Sequence, residues 1–502
     1  MFVAPGAFVL WRAARLGGSL RDTLADLASP AGRTAALVVA VSATTAVLGT
    51  SLAWLVTCTA LPGRRVWRVL LVVPIALPSF VTATAVLAGF TPGGPLRAVW
   101  EAVGLEAPRR IRGFVPAWVV LSASTYPFVM MPVAARLRSL SPGLDESARL
   151  LGSSPWRVFA RVTLPQIRTA ITGGALVVAL YMCSEFGAVQ LLGYDTLTRV
   201  IYATRQLGRA TSFTAAAVLF VTSTALVWAV RGTARTGVDD RSSIRQARPV
   251  PLGRWTPIGL AAVVATLLVG LVAPLASLVV WAWRGIVDGR LDTEALATAI
   301  ANTAVVAVVA AVVTVVCVFP VAAGVVRRGD ATSRSAAVAV VSGFALPSIV
   351  IALAVAVLAL NTPLLRGLYQ TMPLLVFAYV VHFGSQALGS AEQAVAGVDR
   401  QLLDAGRLLE PSRWRRLRRI ELPMMRPGLA SGAGLVALAV VKELPATLLL
   451  APVGFRTLST EVWGAFEEGF LADAAVGALV MIAVSAVATW VLVVRERPVP
   501  HG

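Results

Sequence analysis

The 502-residue sequence has few charged residues and very little lysine, histidine or cysteine. Charged residues make up 14% of the chain and apolar residues 57%, whereas a soluble globular domain is about a quarter charged and less than half apolar. The mean hydropathy of +0.79 points the same way. This composition excludes an ordinary soluble protein and predicts an integral membrane protein, because apolar runs long enough to cross a bilayer recur along the chain.

Histidine and cysteine are too scarce for the common metal and disulfide frameworks. The two histidines are His382 and His501, which excludes a histidine-rich metal site. Cys58, Cys183 and Cys317 lie in apolar runs without the spacing of metal ligands or of a disulfide framework. We interpret them as small buried apolar residues.

Lys442 is the only lysine, so the net charge of +19 is carried by arginine. A phosphate-binding loop of the G-x-x-x-x-G-K-[S/T] type needs a lysine after its second glycine, and Lys442 follows Val441 instead. The sequence also shows no catalytic triad. We therefore expect that the chain is not an enzyme, hydrolyses no ATP and binds no cofactor of its own.

Apolar stretches of membrane-spanning length occur eleven times. They lie near residues 34–59, 68–90, 114–135, 169–193, 213–230, 256–283, 298–326, 335–360, 372–395, 427–451 and 471–494. A further apolar run at residues 1–10 is too short to cross, and we interpret it as an incomplete first helix or as the result of a misplaced start codon. About 11–12 transmembrane helices are predicted.

Arginine is concentrated in the segments on one side of these spans. With the C-terminus in the cytoplasm, the cytoplasmic segments hold 28 arginines and the opposite segments hold 10. The positive-inside rule therefore places the two most basic loops, 136–168 and 396–426, in the cytoplasm. The same distribution argues against a nucleic-acid partner. Arginine in place of lysine is typical of a GC-rich bacterial genome, which predicts a multi-pass protein of the bacterial inner membrane.

The two halves of the chain repeat each other. The sequence Ala-Leu-Pro-Ser at residues 76–79 returns at 345–348, and residues 146–165 match residues 404–423 at nine of twenty positions. Both loop copies fall on the cytoplasmic side, so the repeat is parallel rather than inverted. The predicted organisation is a first permease half at 1–231, a cytoplasmic linker at 232–254, a second half at 255–495 and a cytoplasmic tail at 496–502.

The repeated loop has the signals of two short helices. Glu146 suits the first turn of one helix and Gly152 suits its C-terminal end. Ser154 then caps a second helix, which carries Trp156. An exposed aromatic residue on a basic loop favours contact with a protein partner, and Leu164-Pro165 is expected to end the second helix. Helices lying on the lipid surface are the alternative.

The pattern E-x-A-x-x-x-G followed by L-P resembles the "EAA" loop of ABC-importer permeases. This resemblance implies an all-α membrane protein of the type I importer kind whose loops dock on a cytoplasmic ATPase. The implied coupling residues are Glu146, Ala148, Gly152, Ser154, Trp156, Leu164 and Pro165 in the first copy, and Asp404, Trp414, Leu422 and Pro423 in the second. The second copy departs from the pattern, because Asp404 replaces the glutamate and Glu410-Pro411 stands where the glycine is expected.

The resemblance also implies the partners. These are a homodimeric ABC ATPase that holds ATP and magnesium, and an extracytoplasmic solute-binding protein that delivers the solute. Transport then proceeds by alternating access in the lipid bilayer. An ion-coupled secondary transporter with a parallel repeat is the alternative from another class.

Two acidic residues, Glu185 and Glu443, lie inside apolar stretches and are paired by the repeat. A carboxylate in a membrane usually faces a cavity or a partner. Together with Tyr181, these acids are the candidates for the translocation path. A structural hydrogen bond between helices is the equally open alternative.

The residues that flank these two acids resemble those of a narrower group of importer permeases. Ser184-Glu185-Phe186-Gly187-Ala188 and Lys442-Glu443-Leu444-Pro445-Ala446 look like ferric-iron importer permeases, and thiamine and aminoethylphosphonate permeases share the fused architecture. Ferric ions prefer oxygen ligands, which the two carboxylates and Tyr126, Tyr181, Tyr194 and Tyr202 contain. We expect no resident metal site, only transient contact at Glu185 and Glu443.

Overall fold

A computed structural model describes residues 1–15, 20–108, 110–140, 154–205, 209–235, 250–289, 291–410 and 412–495. Regular structure in these ranges is helical, and their β contact is one isolated bridge between Thr59 and Val250. The prediction of an all-α membrane protein is therefore confirmed.

The helices are numbered in chain order. The first twelve are α1 Ala4–Arg15, α2 Leu20–Cys58, α3 Arg64–Leu70, α4 Ser79–Phe90, α5 Pro95–Ala102, α6 Phe114–Thr125, α7 Pro127–Ser139, α8 Pro155–Val158, α9 Leu164–Ser184, α10 Gly187–Leu191, α11 Leu197–Thr204 and α12 Arg209–Arg235. The second twelve are α13 Thr256–Leu267, α14 Ala273–Val287, α15 Thr293–Arg327, α16 Ala331–Ala345, α17 Ser348–Asn361, α18 Met372–Ala396, α19 Arg400–Leu409, α20 Arg413–Arg416, α21 Leu422–Val441, α22 Pro445–Leu450, α23 Leu458–Glu467 and α24 Leu471–Arg495.

Short turns of other helical types complete the chain. The 3-10 turns are Val73–Ala76, Gly253–Trp255 and Arg366–Leu368. The π-helical turns are Phe159–Thr163, Leu268–Val272 and Leu417–Glu421. The first and last π-turns occupy matching positions of the repeated loop, so the repeat extends to this local geometry.

Within the described ranges, nine helical spans are long and apolar enough to cross a membrane. Two more consist of bent pairs: Arg64–Ala76 with Ser79–Phe90, bent by 94°, and Ala331–Gly343 with Ser348–Asn361, bent by 101°. Counting each pair as one span gives eleven, in agreement with the sequence.

The bends explain why the stretches near 68–90 and 335–360 are not the single straight helices expected. Each bend falls on the repeated Ala-Leu-Pro-Ser sequence. Leu77 and Leu346 have extended backbone, with ψ of 120° and 124°, because a following proline disfavours the helical region. Pro78 and Pro347 then precede the first residue of α4 and α17.

The chain forms two compact units. Unit A contains Ser19–Ala203 and Val221–Asp288. In unit A, α2 packs against α7 and α9, and α14 packs against α4. Its largest buried side chains include Tyr126, Ile167 and Leu192. Helices α2, α4 and α11, with the break between α9 and α10, bring together the residues of the first candidate cluster.

Unit B contains Met1–Gly18, Thr204–Phe220 and Gly289–Gly502. In unit B, α15 and α21 both pack against α18. The short N-terminal helix α1 packs against α17, and the ring of Phe2 lies next to Gly384. The limits given above for the two permease halves, the linker and the tail were drawn from the sequence repeat, and they stay a prediction.

Candidate functional site

Glu185 lies at a break in a membrane helix. The apolar stretch near 169–193 was expected to be one helix, but α9 ends at Ser184 and α10 begins at Gly187. Glu185 itself is extended, with φ of −68° and ψ of 124°. Its carboxylate oxygen Oε1 accepts from the backbone N–H of Ala188 at 2.9 Å. The side chain therefore satisfies a donor that the start of a helix leaves free.

The other carboxylate oxygen of Glu185 reaches the bend in the neighbouring span. Ser79, the first residue of α4, donates its hydroxyl to Oε2 at 2.7 Å. Tyr181 donates to the Ser79 hydroxyl at 3.2 Å. Glu185 is only 5% exposed. The structure thus brings the two predicted path residues, Glu185 and Tyr181, together through a serine.

The backbone around Glu185 is held as firmly as its side chain. Thr198 donates its hydroxyl to the Glu185 carbonyl at 2.6 Å. The neighbouring N–H of Leu197 donates to the hydroxyl of Thr34 in α2 at 3.0 Å. One buried cluster therefore joins α2, α4, α11 and the α9–α10 break.

The same arrangement is present around Glu443 in unit B. The stretch near 427–451 breaks after Val441, and α22 begins at Pro445. The Glu443 carboxylate accepts from the N–H of Ala446 at 3.1 Å and interacts with the hydroxyl of Ser348, the first residue of α17. Glu443 is 9% exposed.

The backbone contacts of Glu443 repeat as well. Ser459 donates its hydroxyl to the Glu443 carbonyl at 2.6 Å. The N–H of Leu458 donates to the hydroxyl of Thr303 in α15 at 2.7 Å. We call these two arrangements the Glu185 cluster (Thr34, Ser79, Glu185, Leu197, Thr198) and the Glu443 cluster (Thr303, Ser348, Glu443, Leu458, Ser459).

Tyr181 is the main difference between the clusters. Its repeat position in unit B is Ala439. In unit B a tyrosine from α18 lies near the helix break instead: the hydroxyls of Tyr379 and Thr447 are 2.6 Å apart. The sequence predicted both acids and both Ala-Leu-Pro-Ser copies, but it missed that each serine meets its acid. The signal was available, since both elements are carried by one repeat.

These contacts decide what the carboxylates can do. Within the described ranges, no group of three His, Cys, Asp or Glu side chains is placed to hold a metal ion. Each carboxylate instead accepts from a backbone N–H and interacts with a serine hydroxyl. Of the two roles left open by the sequence, the geometry favours anchoring of the helix breaks.

The remaining tyrosines considered as oxygen ligands are engaged elsewhere. The Tyr126 hydroxyl donates to the carbonyl of Leu71 at 2.8 Å, and Tyr194 donates to the carbonyl of Arg33 at 3.1 Å. Burial raises the pKa of Tyr194, although Arg33 opposes this shift. The ring of Tyr202 packs on Phe186 with centroids 4.8 Å apart. These side chains support the walls of unit A.

The first copy of the repeated loop is described from Ser154 onward, so Glu146, Ala148 and Gly152 lie outside the described residues, as does the side chain of Trp156. Ser154 precedes α8, and its hydroxyl accepts from the N–H of Arg157 at 3.4 Å. The capping position predicted for this serine agrees with that contact.

The predicted end of the loop helix at Leu164-Pro165 is wrong. These two residues open the long helix α9, which continues directly from the π-turn. A proline in the first turn needs no N–H partner and is compatible with a helix start. Leu422 and Pro423 open α21 in the same way.

The second loop copy forms two short helices, as the sequence indicates. Asp399 caps α19 by accepting from the N–H of Gln401 at 2.9 Å. Asp404 is exposed on α19, and Leu408 and Trp414 are 87% and 66% exposed. These two apolar side chains are therefore open to contact on the predicted cytoplasmic side.

Glu410 occupies the place where the loop pattern has glycine. Its carboxylate lies 3.6 Å from Arg415 Nε and 3.9 Å from Arg419 Nη1. Both arginines are more than half exposed, so each pair is weak. Glu410 is therefore accommodated by its basic neighbours and leaves the two-helix form of the loop intact.

Comparison with known proteins places the chain among transport proteins. The family "Binding-protein-dependent transport system inner membrane component" matches residues 46–233 and again residues 317–497. These two matches coincide with the internal repeat. Together they cover most of the chain.

Individual relatives are transport permeases. The Fe(3+)-transport system permease protein FbpB 2 of Haemophilus influenzae is 26% identical over 503 residues, covering 97% of this chain and 94% of that protein. The sulfate transport system permease CysW of Escherichia coli is 35% identical over 146 residues, covering 29% of this chain and 49% of that protein. CysT of Escherichia coli is 29% identical over 143 residues, covering 28% and 50%. The chain therefore spans about half the length of these sulfate permeases.

Proposed function

The chain belongs to the family of binding-protein-dependent transport system inner membrane components, and on that premise we propose that the solute it passes through the membrane is ferric iron. It is a multi-pass inner-membrane protein and the permease of an ABC importer, with the family unit present twice in one chain. Its role is transport rather than catalysis.

The main support for ferric iron as the solute is the similarity to the ferric-iron permease of Haemophilus influenzae along 97% of the chain. The similarity to the sulfate permeases covers less than a third of the chain. The residues that flank Glu185 and Glu443 in the sequence also favour ferric iron. Because each carboxylate is engaged by a serine and a backbone N–H, the proposal assigns ion selection to the solute-binding protein and only transient contact to the permease.

We assign energy input to a separate homodimeric ATPase that holds ATP and magnesium. The repeated loops are its docking elements, with the residues from Glu146 to Pro165 and from Asp404 to Pro423 as the contact segments. The exposed Leu408 and Trp414 support this assignment for the second copy. The permease then alternates between inward- and outward-facing states.

The solute-binding protein docks on the outer face in this proposal. The segments predicted on that side include 91–113, 194–212 and 452–470. The Glu185 cluster in unit A and the Glu443 cluster in unit B each join a bent span to a broken helix. Such irregular backbone within a membrane needs internal hydrogen-bond partners, and the clusters supply them.

Uptake into cells tests the proposal. Labelled ferric iron, thiamine and sulfate are measured in cells with the chain, its ATPase and its binding protein, and in cells that lack each one. Iron uptake that requires all three proteins is the expected result. Uptake of thiamine or sulfate alone would reassign the solute and keep the importer. Iron uptake without the ATPase would indicate an ion-coupled secondary transporter.

A further inference from the structure

The second repeated loop is fixed to a membrane helix by a buried carboxylate. Glu421, the last residue of the π-turn Leu417–Glu421, has a side chain only 4% exposed. Its Oε1 accepts from Arg416 Nε at 3.1 Å, and its Oε2 accepts from Arg327 Nη2 at 2.7 Å. Arg327 is the last residue of α15. We infer that Glu421 is the positioning residue through which the motion of the second loop reaches α15.

The ion pairs continue in both directions from Glu421. Arg416 also donates to the carbonyl of Glu410, at the end of α19, at 3.4 Å. At its other end, α15 contributes Thr303 to the Glu443 cluster, where Thr303 accepts from Leu458. A continuous set of contacts therefore runs from the exposed loop helix to the helix break in the same unit.

Burial gives these contacts their strength. A buried carboxylate oxygen that loses its guanidinium is left without a donor, and Arg416, 14% exposed, is left without a counter-charge when Glu421 is removed. An exposed pair such as Arg97 with Glu101 is instead screened by water. Because each carboxylate oxygen of Glu421 has its own arginine, α20 and α15 cannot separate without breaking a buried ion pair. They are expected to move together.

The first loop copy has different chemistry at the same places. The repeat aligns Glu421 with Thr163 and Arg416 with Val158. Thr163 and Val158 are both buried, at 5% and 2% exposure. The buried acid of the second copy is therefore replaced by an uncharged residue in the first. At these aligned positions, the second loop is joined to its unit by charge and the first is not.

The inference rests on the proposed coupling to an ATPase. It is tested with the full chain in proteoliposomes, together with its ATPase and binding protein. The readout is the stimulation of ATP hydrolysis by the binding protein, because this ratio does not depend on the identity of the solute. Glu421→Gln and Arg327→Gln are compared with each other, with the double variant and with Arg334→Gln, which removes an exposed arginine that donates only to the carbonyl of Gly329 at 2.8 Å among the described contacts.

Glu421→Gln is expected to lower the stimulation about fivefold or more. A fivefold change corresponds to the lower end of the coupling free energies usually found between two sites. Arg327→Gln should do the same, and the double variant should lose no more than either single one, because the two residues act as one pair. Arg334→Gln should match the wild type. Normal stimulation by correctly folded Glu421→Gln, or additive losses in the double variant, would overturn the inference.

A second variant covers the case in which Glu421→Gln fails to fold. Arg416→Val with Glu421→Thr gives the second copy the residues of the first and leaves Arg327, already 34% exposed, able to reach water. This variant should fold and show weak stimulation, and full stimulation would contradict the inference. An absence of any stimulation in the wild type would instead refute the proposed ATPase coupling itself.

Discussion

The hydroxyl of Ser79 donates to the carboxylate of Glu185 at 2.7 Å, across 106 positions of the sequence. Ser348 makes the corresponding contact with Glu443 in the other unit. Each contact ties the residue after a proline bend to a break in a neighbouring helix. Two irregular features that would each be costly in a membrane therefore stabilise one another.

Substitution of the acids separates anchoring from contact with the solute. Glu185→Gln and Glu443→Gln keep an acceptor for the backbone N–H, so we expect these variants to fold and to retain most uptake. Glu185→Ala leaves the Ser79 hydroxyl and the Ala188 N–H without their acceptor, which should lower the free energy of unfolding by about 1–3 kcal/mol. Thermal unfolding in detergent and iron uptake are the two measurements. Folded Gln variants without uptake would show that the charge itself contacts the solute.

The serines should differ in importance. Ser79 accepts from Tyr181 while it donates to Glu185, whereas the repeat position of Tyr181 in unit B is Ala439. We therefore expect Ser79→Ala to lower the unfolding temperature more than Ser348→Ala does. Tyr181→Phe combined with Ser79→Ala should cost less than the sum of the two single changes, because the residues share one hydrogen bond. Equal effects of the two serine changes would contradict this account.

The exposed tryptophan of the second loop offers a test of docking. Trp414 is 66% exposed, so Trp414→Ala should leave the stability unchanged and weaken co-purification of the ATPase. Trp255 is the matched control, since it is 56% exposed and follows the predicted cytoplasmic linker. Trp255→Ala should not affect ATPase binding. Equal losses from both changes would indicate a general effect of removing surface tryptophan.

Gly152 provides a test in the first loop. Because the EAA resemblance places Gly152 at the turn between the two loop helices, Gly152→Asp should abolish uptake while membrane insertion stays normal. Insertion is checked by the amount of protein in the membrane fraction, and uptake with labelled iron. Normal uptake by this variant would rule out the coupling role assigned to the first loop.

Phe2 and Gly384 form a tight contact in unit B. A Cβ atom at Gly384 would lie 2.6 Å from the Phe2 ring, so Gly384→Ala should destabilise the protein by about 1–3 kcal/mol through overpacking. Adding Phe2→Ala should relieve the clash. Gly343→Ala is the control, because its Cβ would lie 2.3 Å from the carbonyl oxygen of Val381. Backbone cannot swing aside, so Phe2→Ala should not rescue that variant. Thermal unfolding of all four variants decides the matter.

The sequence by itself determined the membrane class, the number of spans and the parallel repeat. These follow from the length of the apolar stretches, the placement of arginine and the repeated sequence segments. Each of these features can be read directly along the chain. It also predicted that Glu185 and Glu443 correspond. The two-helix form of the repeated loop was predicted from the capping residues of the first copy, and the second copy adopts it.

Only the tertiary structure decided which residues meet. The bends at Pro78 and Pro347 and the breaks after Ser184 and Val441 are stable because distant hydroxyls and carboxylates satisfy the freed backbone groups. Hydrophobic periodicity carries no information about such partners. The join of Glu421 to Arg327 was equally hidden, since an acid 94 residues from its arginine has no signal in sequence spacing. Long-range hydrogen bonding, rather than apolar patterning, therefore built the candidate site.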